Sequence, residues 1–578
     1  MPSKMPERAL LKVPENRTRN RIRLAAKLLL IAAFIVITNA GFGERVSLLL
    51  DNERYNTLLP FLAIWGMGLV AIVIAAFQPN VWVRMFWTML IALSSAVAWG
   101  YHSASQSEFT VFDIVSLWNA RHEAGRAAEF YGSHIGLALV VLASGILLMA
   151  LPVGIPGKLR RWFGYLFWFP AVPVAVIAAV VFLKGGGGSQ AMPTQFAPVA
   201  LTSLASAKIA LQGAQVRHAV AWRPANTAPK QNIVMLIDES IRYEYLDLTP
   251  GNPHTPKLAS LANRFVNFGP TVSGGNCSNY SNAILRLAAS RKDVTGTINT
   301  SPTIWQYAKL AGYRTVFIDA QAGGITNPGL MQNFMSMTEK ADIDSFHAIR
   351  DVGSDMADAR LAEIIAAELK AGGPVFIYAN KNGAHFPYDH AYPAEAARYH
   401  PTMTEAGADT EKSRIASYRN AISWSVDDFM EKLFAEADFT GTTLLYTSDH
   451  GQNLNSGKLT HCVVENPDPR TALVPLMVST DDSELRAKLA ESAAQRRGAM
   501  SHFEIVPSVL AWMGYDEADI ATVYPASLSG GSPGQPAFTT GDVFGLFTSE
   551  VHWTPVDTSI DYREPAERIL MPEDGGGA

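Results

Sequence analysis

Two segments far apart in the chain place acids and a histidine directly after apolar runs. Asn232 to Ile237 is a short apolar run that stops at Asp238-Glu239-Ser240, and Thr442 to Tyr446 runs through Thr447-Ser448 into Asp449-His450-Gly451. Runs of this length read as buried strands, so the charged groups emerge at strand ends. Carboxylate oxygens combined with imidazole nitrogens suit Zn²⁺, whereas an all-oxygen set would point to Mg²⁺ or Ca²⁺. Between the two segments lies a turn of small residues, Ser273-Gly274-Gly275-Asn276-Cys277-Ser278, followed by a helix-like stretch from Tyr280 to Ala289. A nucleophile in that turn would sit at a helix N-terminus, where backbone N–H groups and the helix dipole favour an anion. Cys277 and Ser278 are the candidates. His385, in Asn382-Gly383-Ala384-His385-Phe386-Pro387, and His461, in Lys458-Leu459-Thr460-His461, sit in loops after other strands.

The elements that must position these groups follow one pattern from about residue 231 onward. Thr315 to Ile318, Val375 to Tyr378 and Leu473 to Val478 are further apolar runs, and helix-like stretches such as Asp355 to Lys370 and Ser413 to Ala435 alternate with them. Buried strands alternating with helices predict a mainly parallel sheet covered on both faces, an α/β domain over residues 231–578. Sites in such sheets gather beyond the C-terminal ends of the strands, where this sequence puts its acids and histidines.

The first 184 residues belong to another solvent. The chain has 578 residues, of which 48% are hydrophobic, and its mean hydropathy is +0.09, high for a chain surrounded by water alone. Five stretches approach the ~20 apolar residues that cross a hydrocarbon core: Leu24 to Gly43, Leu58 to Phe77, Val81 to Tyr101, Ile135 to Gly154 and Phe163 to Leu183. Four spans follow the first, which argues against a cleaved signal peptide. Lys4, Arg8, Lys12, Arg17, Arg19, Arg21 and Arg23 precede the first span, and Lys158, Arg160 and Arg161 separate the fourth from the fifth. The positive-inside rule then puts the N-terminus in the cytoplasm and everything after Lys184 on the opposite side. Gly185 to Ser189 reads as a flexible exit and residues 185–230 as a linker. In the loop of residues 102–133, Ser116, Asn119 and Glu123 fall on the polar side of an apolar stripe, which suits an interfacial helix. The tail after Pro572 is expected to lack order. The net charge of −5, with no Lys/Arg cluster interleaved with aromatics after the membrane region, argues against a nucleic-acid partner. Two cysteines, Cys277 and Cys462, exclude a disulfide framework and a Cys-rich zinc module.

Taken together, Glu239-Ser240, the glycine turn, Gly383-Ala384-His385, Ser448-Asp449-His450-Gly451, His461 and a late Ser501-His502 resemble the alkaline phosphatase and sulfatase superfamily. Within it the chain is most similar to membrane-bound phosphoethanolamine transferases. The resemblance implies an enzyme of the bacterial inner membrane with a periplasmic catalytic domain. It implies Glu239, Asp449, His450 and the nucleophile as ligands of one zinc ion, with His385 and His461 on the transferred phosphoryl group or on a second ion. It further implies a phospholipid donor, phosphatidylethanolamine, a covalent enzyme intermediate, and lipid A or another envelope glycan as acceptor, with Ser116, Asn119 and Glu123 on the substrate side. The family's nucleophile is Thr. Aligning the glycines puts Cys277 at the catalytic position, as nucleophile and ligand, with Ser278 as reserve. A Cys277–Cys462 disulfide is the competing expectation, since it would withdraw the thiolate and leave Ser278. The sulfatase context Cys-x-Pro-x-Arg, which directs conversion of the cysteine to formylglycine, is missing around Cys277.

Overall fold

The computed structural model describes residues 17–568 apart from 52, 106–108, 112, 115–131, 213–216, 226–228, 230, 247, 249–251, 322–334, 336, 456–457, 465 and 548–550. Ser116, Asn119 and Glu123, with most of the expected interfacial segment, and the tail after Pro572 lie outside the described residues. The chain forms two compact units, a helical one within residues 17–204, less 104–107 and 112–132, and an α/β one from residue 205 onward.

The helical unit contains α1 (Arg17–Thr38), α2 (Gly41–Asp51), α3 (Tyr55–Ala76), nearly all of α4 (Val81–Ser105) and α5 (Gly132–Ala150), α6 (Gly157–Tyr165), α7 (Ala171–Leu183) and the first half of α8 (Ala197–Gln212). Among the described residues α3, α4 and α5 are long and apolar enough to cross a membrane, and α1 with α2 make a fourth crossing if that pair, bent by 72°, counts as one. The expected fifth span is split. Pro170 caps a new helix after α6, and α7 has only 13 residues. The bend after α1 falls at Asn39, whose side chain donates to Ile35 O (2.7 Å) and accepts from Thr194 N (2.9 Å). Among the described residues of this unit one cation is buried. Lys27 Nζ donates to Ala76 O, Met149 O and Leu151 O at 2.9, 3.1 and 2.6 Å, so an ammonium satisfies carbonyls at the ends of α3 and α5, where helix dipoles concentrate negative charge.

Residues read from the sequence as the start of a linker belong to this helical unit. Gln195 is buried, and its amide donates to Thr38 Oγ1 (2.9 Å) and Ser95 Oγ (3.2 Å). Trp65 Nε1 donates to Ala191 O (3.0 Å). Buried polar groups need partners, and these bonds hold the segment against α1, α3 and α4, so the flexible exit expected at residues 185–189 leads directly into packed chain.

The α/β unit is built on a seven-stranded sheet: β1 (Asn232–Asp238), β2 (Phe265–Val272), β3 (Arg314–Asp319), β4 (Ser345–Ala348), β5 (Val375–Asn380), β6 (Thr442–Ser448) and β7 (Leu473–Ser479), in the order β2-β7-β6-β1-β5-β3-β4. Strands β6, β1, β5, β3 and β4 run parallel, while β7 is antiparallel to both β6 and β2. Along β1, Val234 and Leu236 enter one apolar core and Ile233, Met235 and Ile237 the other, which is why the run reads as continuously hydrophobic. The expected parallel strands are present, each extended by one or two residues. Strand β2 escapes a reading by hydrophobicity because Asn267, Gly269 and Pro270 interrupt it, and its register with β7 shifts there, as tolerated toward a sheet edge. Helices α9 (Ser278–Arg286), α10 (Ser354–Lys370) and α11 (Glu411–Ile422) flank the sheet; a π-turned segment, Ser423–Asp428, joins α11 to α12 (Phe429–Glu436).

The end of the chain is tied back beside β1. The fully buried Arg242 pairs with Glu567 and with Glu244 (3.0 Å), while Tyr245 Oη donates to Glu567 Oε1 (3.0 Å) and Arg419 to Glu567 O (2.8 Å). Removing one partner of a buried pair leaves an uncompensated charge, which costs about 3 kcal/mol or more. Glu567→Ala should therefore lower the unfolding free energy by about 3 kcal/mol in a denaturant titration followed by tryptophan fluorescence, whereas Glu484→Ala, at an exposed pair with Lys488, should change it by less than about 1 kcal/mol.

Candidate metal centre and active site

Strands β1 and β6 are hydrogen-bonded neighbours in a register that sets Asp238 opposite Ser448. The residues that follow are therefore side by side. Asp449 N donates to Asp238 O (2.9 Å), Ser240 N to Asp449 Oδ1 (3.1 Å) and Ile241 N to Ser448 Oγ (2.8 Å). On the other side of β1, strand β5 sends out the Lys381-to-His385 loop, with Lys381 N on Ile237 O (2.9 Å) and Ala384 N on Glu239 O (3.0 Å). That close approach requires glycine at 383. Its φ is +54°, and a Cβ there would lie 2.4 Å from Asp238 Oδ1 and 2.6 Å from Glu239 O. Gly451 is constrained in the same way, since a Cβ would stand 2.2 Å from Arg470 O.

Glu239, Asp449 and His450 are fully buried and offer three ligand atoms within 4.8 Å of one another. Their orientations follow from the backbone. Asp449 Oδ1 accepts the N–H of Ser240 and of His450 (2.7 Å), so Oδ2 is left for the site and has no hydrogen-bond partner. His450 Nδ1 lies 2.7 Å from Gly451 O; a carbonyl can only accept, so Nδ1 carries a proton and Nε2 is the ring nitrogen turned to Glu239 Oε1, at 3.3 Å.

Ser278, the first residue of α9, closes the cluster. Its hydroxyl lies 3.0 Å from Glu239 Oε2 and 3.1 Å from His450 Nε2. The preceding residue turns away. Cys277 is bonded to Cys462 in a disulfide and packs among Tyr280, Ile284, Phe503 and Val543. The sequence expectation that made Cys277 nucleophile and ligand thus meets a sulfur already in a covalent bond, with no thiolate to offer, and the hydroxyl beside the acids and His450 is that of Ser278. His461 stacks on His450, ring centroids 4.3 Å apart at 25°. His385 is buried in the loop after β5, close enough for its charge to lower the Glu239 pKa. His502 is buried below β6 with Nε2 3.3 Å from Thr447 Oγ1, and burial pushes its pKa down to about 3.

The electrostatics favour a cation. Burial raises the Glu239 pKa, but the charge and hydrogen bond of His450, the charge of His385 and a hydrogen bond with Asp449 together outweigh it and hold the carboxyl well below its ordinary value. Burial, then the neighbouring Glu239 charge, pushes Asp449 up to about 8. Burial lowers His450, and Asp449 and Glu239 more than reverse that, taking it up to about 9. Protons are thus held where positive charge is missing, and an unpartnered carboxylate oxygen, an imidazole nitrogen that can give up its proton and an adjacent hydroxyl form a donor set suited to zinc. Sequence reasoning missed three supports. Gln321, just past β3, donates to Glu239 Oε2 (2.9 Å); Ser240 Oγ donates to Glu239 Oε1 (2.5 Å); and the fully buried Lys381 donates to Asp238 Oδ2 (2.6 Å). The signal available for Lys381 and Gln321 was their place at the ends of strands β5 and β3.

Residues 231–515 match the sulfatase family. Comparison with curated protein sequences gave no match. Among solved structures, the integral membrane lipooligosaccharide phosphoethanolamine transferase A (EptA) from Neisseria meningitidis aligns over 86% of this chain and 96% of its own, with 16% identity and a TM-score of 0.59. The zinc complex of the C-terminal periplasmic domain of EptC from Escherichia coli aligns over 60% of this chain and 97% of its own, with 16% identity and a TM-score of 0.45.

If the cluster holds a divalent ion, Glu239→Gln should weaken zinc binding by more than about 100-fold in a competition titration with a chelating dye. The ion-free protein at pH 7 lies below the pKa values of about 8 for Asp449 and about 9 for His450, so both hold protons that binding must displace. Zinc uptake should release about two protons, seen by calorimetry in buffers of different ionisation enthalpy, and affinity should climb as pH rises toward 9.

Proposed function

With residues 231–515 forming an enzyme domain of the sulfatase family, carried on a chain that has the fold of a membrane-bound phosphoethanolamine transferase, we propose that this protein moves phosphoethanolamine from a phospholipid to an envelope acceptor. The donor is phosphatidylethanolamine and the acceptor a hydroxyl or phosphate of lipid A or another envelope glycan. The observation that carries the reading is the Ser278 hydroxyl, at the N-terminus of α9, within hydrogen-bond distance of both Glu239 and His450.

In this reading Ser278 Oγ attacks the phosphorus of the donor, the P–O bond to diacylglycerol breaks, and the proton lost by Ser278 ends on the departing diacylglycerol oxygen. An acceptor oxygen then attacks the phosphoserine, and Ser278 Oγ leaves with a proton. Glu239, Asp449 and His450 would hold a divalent ion, which when bound would lower the hydroxyl pKa and neutralise phosphoryl charge. His385 and His461 donate hydrogen bonds to the phosphoryl oxygens, and the start of α9 adds its dipole. The helical unit lies in the bacterial inner membrane, and the catalytic domain faces the periplasm. Tethering beside the outer leaflet raises the effective concentration of a donor that never leaves the membrane. A sulfatase activity would need formylglycine at Cys277, a residue engaged in the disulfide.

Intact mass spectrometry of the purified protein incubated with phosphatidylethanolamine should show a phosphoethanolamine adduct that peptide mapping assigns to Ser278. Ser278→Ala should abolish it and cut transfer at least about 1,000-fold. An adduct formed from phosphatidylglycerol instead would reassign the enzyme to phosphoglycerol transfer, and zinc binding without turnover of either lipid would remove the catalytic reading.

A further inference from the structure

The disulfide joins the residue before Ser278 to the residue after His461, and no helix or strand among the described residues places His461. Ser278 opens α9, and Cys277, its cap residue, makes no side-chain capping hydrogen bond. His461 lies in the stretch 451–468 between β6 and β7, where the described residues contain no helix or strand. Stretches this long without regular structure have little local stability. The His461 ring is nevertheless stacked on the His450 ring, and the junction beside it is dense. Cys462 N donates to Asn276 O (2.8 Å), Asn276 Nδ2 donates to Val463 O (2.8 Å), and the disulfide brings the two Cα atoms to 4.8 Å across 185 residues of sequence. Cys462 adopts φ +61°, a conformation that a residue with a side chain keeps only where its surroundings impose it.

We infer that the Cys277–Cys462 disulfide is a positioning element for catalysis, holding His461 over His450 and Ser278 at the head of α9 in one fixed register. The inference rests on the proposed role of Ser278 and adds Cys277, Cys462 and Asn276 to it as residues that act through Ser278 and His461. Without the bond, the metal ligands Glu239 and Asp449-His450 keep their places at the ends of β1 and β6, because the sheet sets them. The His461 loop loses its covalent anchor.

The test uses the full-length protein in lipid with five variants: Cys462→Ser, Cys277→Ser, the double Cys277→Ser/Cys462→Ser, His461→Ala, and His461→Ala/Cys462→Ser. All should bind zinc as the wild type does, which also certifies folding. The three cysteine variants should slow formation of the Ser278 adduct by about the same factor, about 100-fold for a misplacement near 1 Å, in kcat with KM for the lipid unchanged. His461→Ala/Cys462→Ser should lose clearly less than the product of the two single losses, because the two changes share the part of the effect that runs through His461. Hydrogen exchange in residues 451–468 should accelerate in Cys462→Ser. Wild-type adduct rates in the cysteine variants would overturn the inference, as would losses that multiply when Cys462→Ser is combined with His461→Ala. If the wild-type protein forms no Ser278 adduct, the functional reading fails by itself. The exchange experiment then still decides whether the disulfide orders the loop, and unchanged exchange would sink that claim separately.

Discussion

Glu239 and Asp449 are both out of contact with water, and two carboxylates can share such a place only if positive charge shares it with them. The rest of the α/β unit can be read as the means of forcing that meeting. A hydrogen-bonded register between β1 and β6 is stiff, because slipping it by one residue would turn every buried side chain of β1 to the wrong core. The acids are therefore held at the ends of two adjacent strands whose positions the whole sheet determines. Their repulsion is left to be answered by His450, by protons or by a metal ion.

The layer beneath this pair is charged as well, and it is balanced. Asp238 accepts from Lys381 and from Tyr446 Oη (2.9 Å), and Lys381 also donates to Ser425 O in the π-turned segment after α11. The extra backbone turn there presents a carbonyl to a buried ammonium. Burial raises the Asp238 pKa to about 6 against the lowering effect of Lys381. Asp358 receives the N–H groups of Asn382 and Gly383 at 2.7 and 3.0 Å, which fixes the loop carrying His385. A neutral aspartic acid at 238 would leave the ammonium of Lys381 without its nearest counter-charge, so the support is as dependent on ionisation as the site above it.

The acids, the histidines and the parallel strands were legible in the sequence because charged side chains directly after an apolar run have one common explanation, a buried strand opening into a site. Other features carried no such mark. Gln321 is an ordinary polar residue until the sheet brings β3 within reach of the loop after β1, and Lys381 reads as a surface lysine until its surroundings close over it. Strand β2, antiparallel to β7, was hidden by Gly269 and Pro270. In the helical unit hydropathy located the apolar stretches and could not show their breaks. Asn39 bends the first because its side chain takes over backbone hydrogen bonding, and Pro170 divides the last because proline begins helices more readily than it continues them.

The choice between Cys277 and Ser278 turned on a register that no composition or spacing can show. Cys277 is the extended cap residue, at φ −140° and ψ 141°, and Ser278 the first helical one, and of the two only Ser278 faces the acids. The glycines before them decide which. A Cβ at Gly274 would stand 2.7 Å from Ile284 Cδ1, and one at Gly275 would stand 2.8 Å from Tyr280 Cβ, so the turn lies flat against its own helix, and advancing the chain by one residue would drive a side chain into α9. With that register held, the hydroxyl meets Glu239 and His450 while the thiol side faces an apolar cluster and Cys462. The cysteine of this turn is therefore tied to the neighbouring loop, and the oxygen that meets the acids comes one residue later.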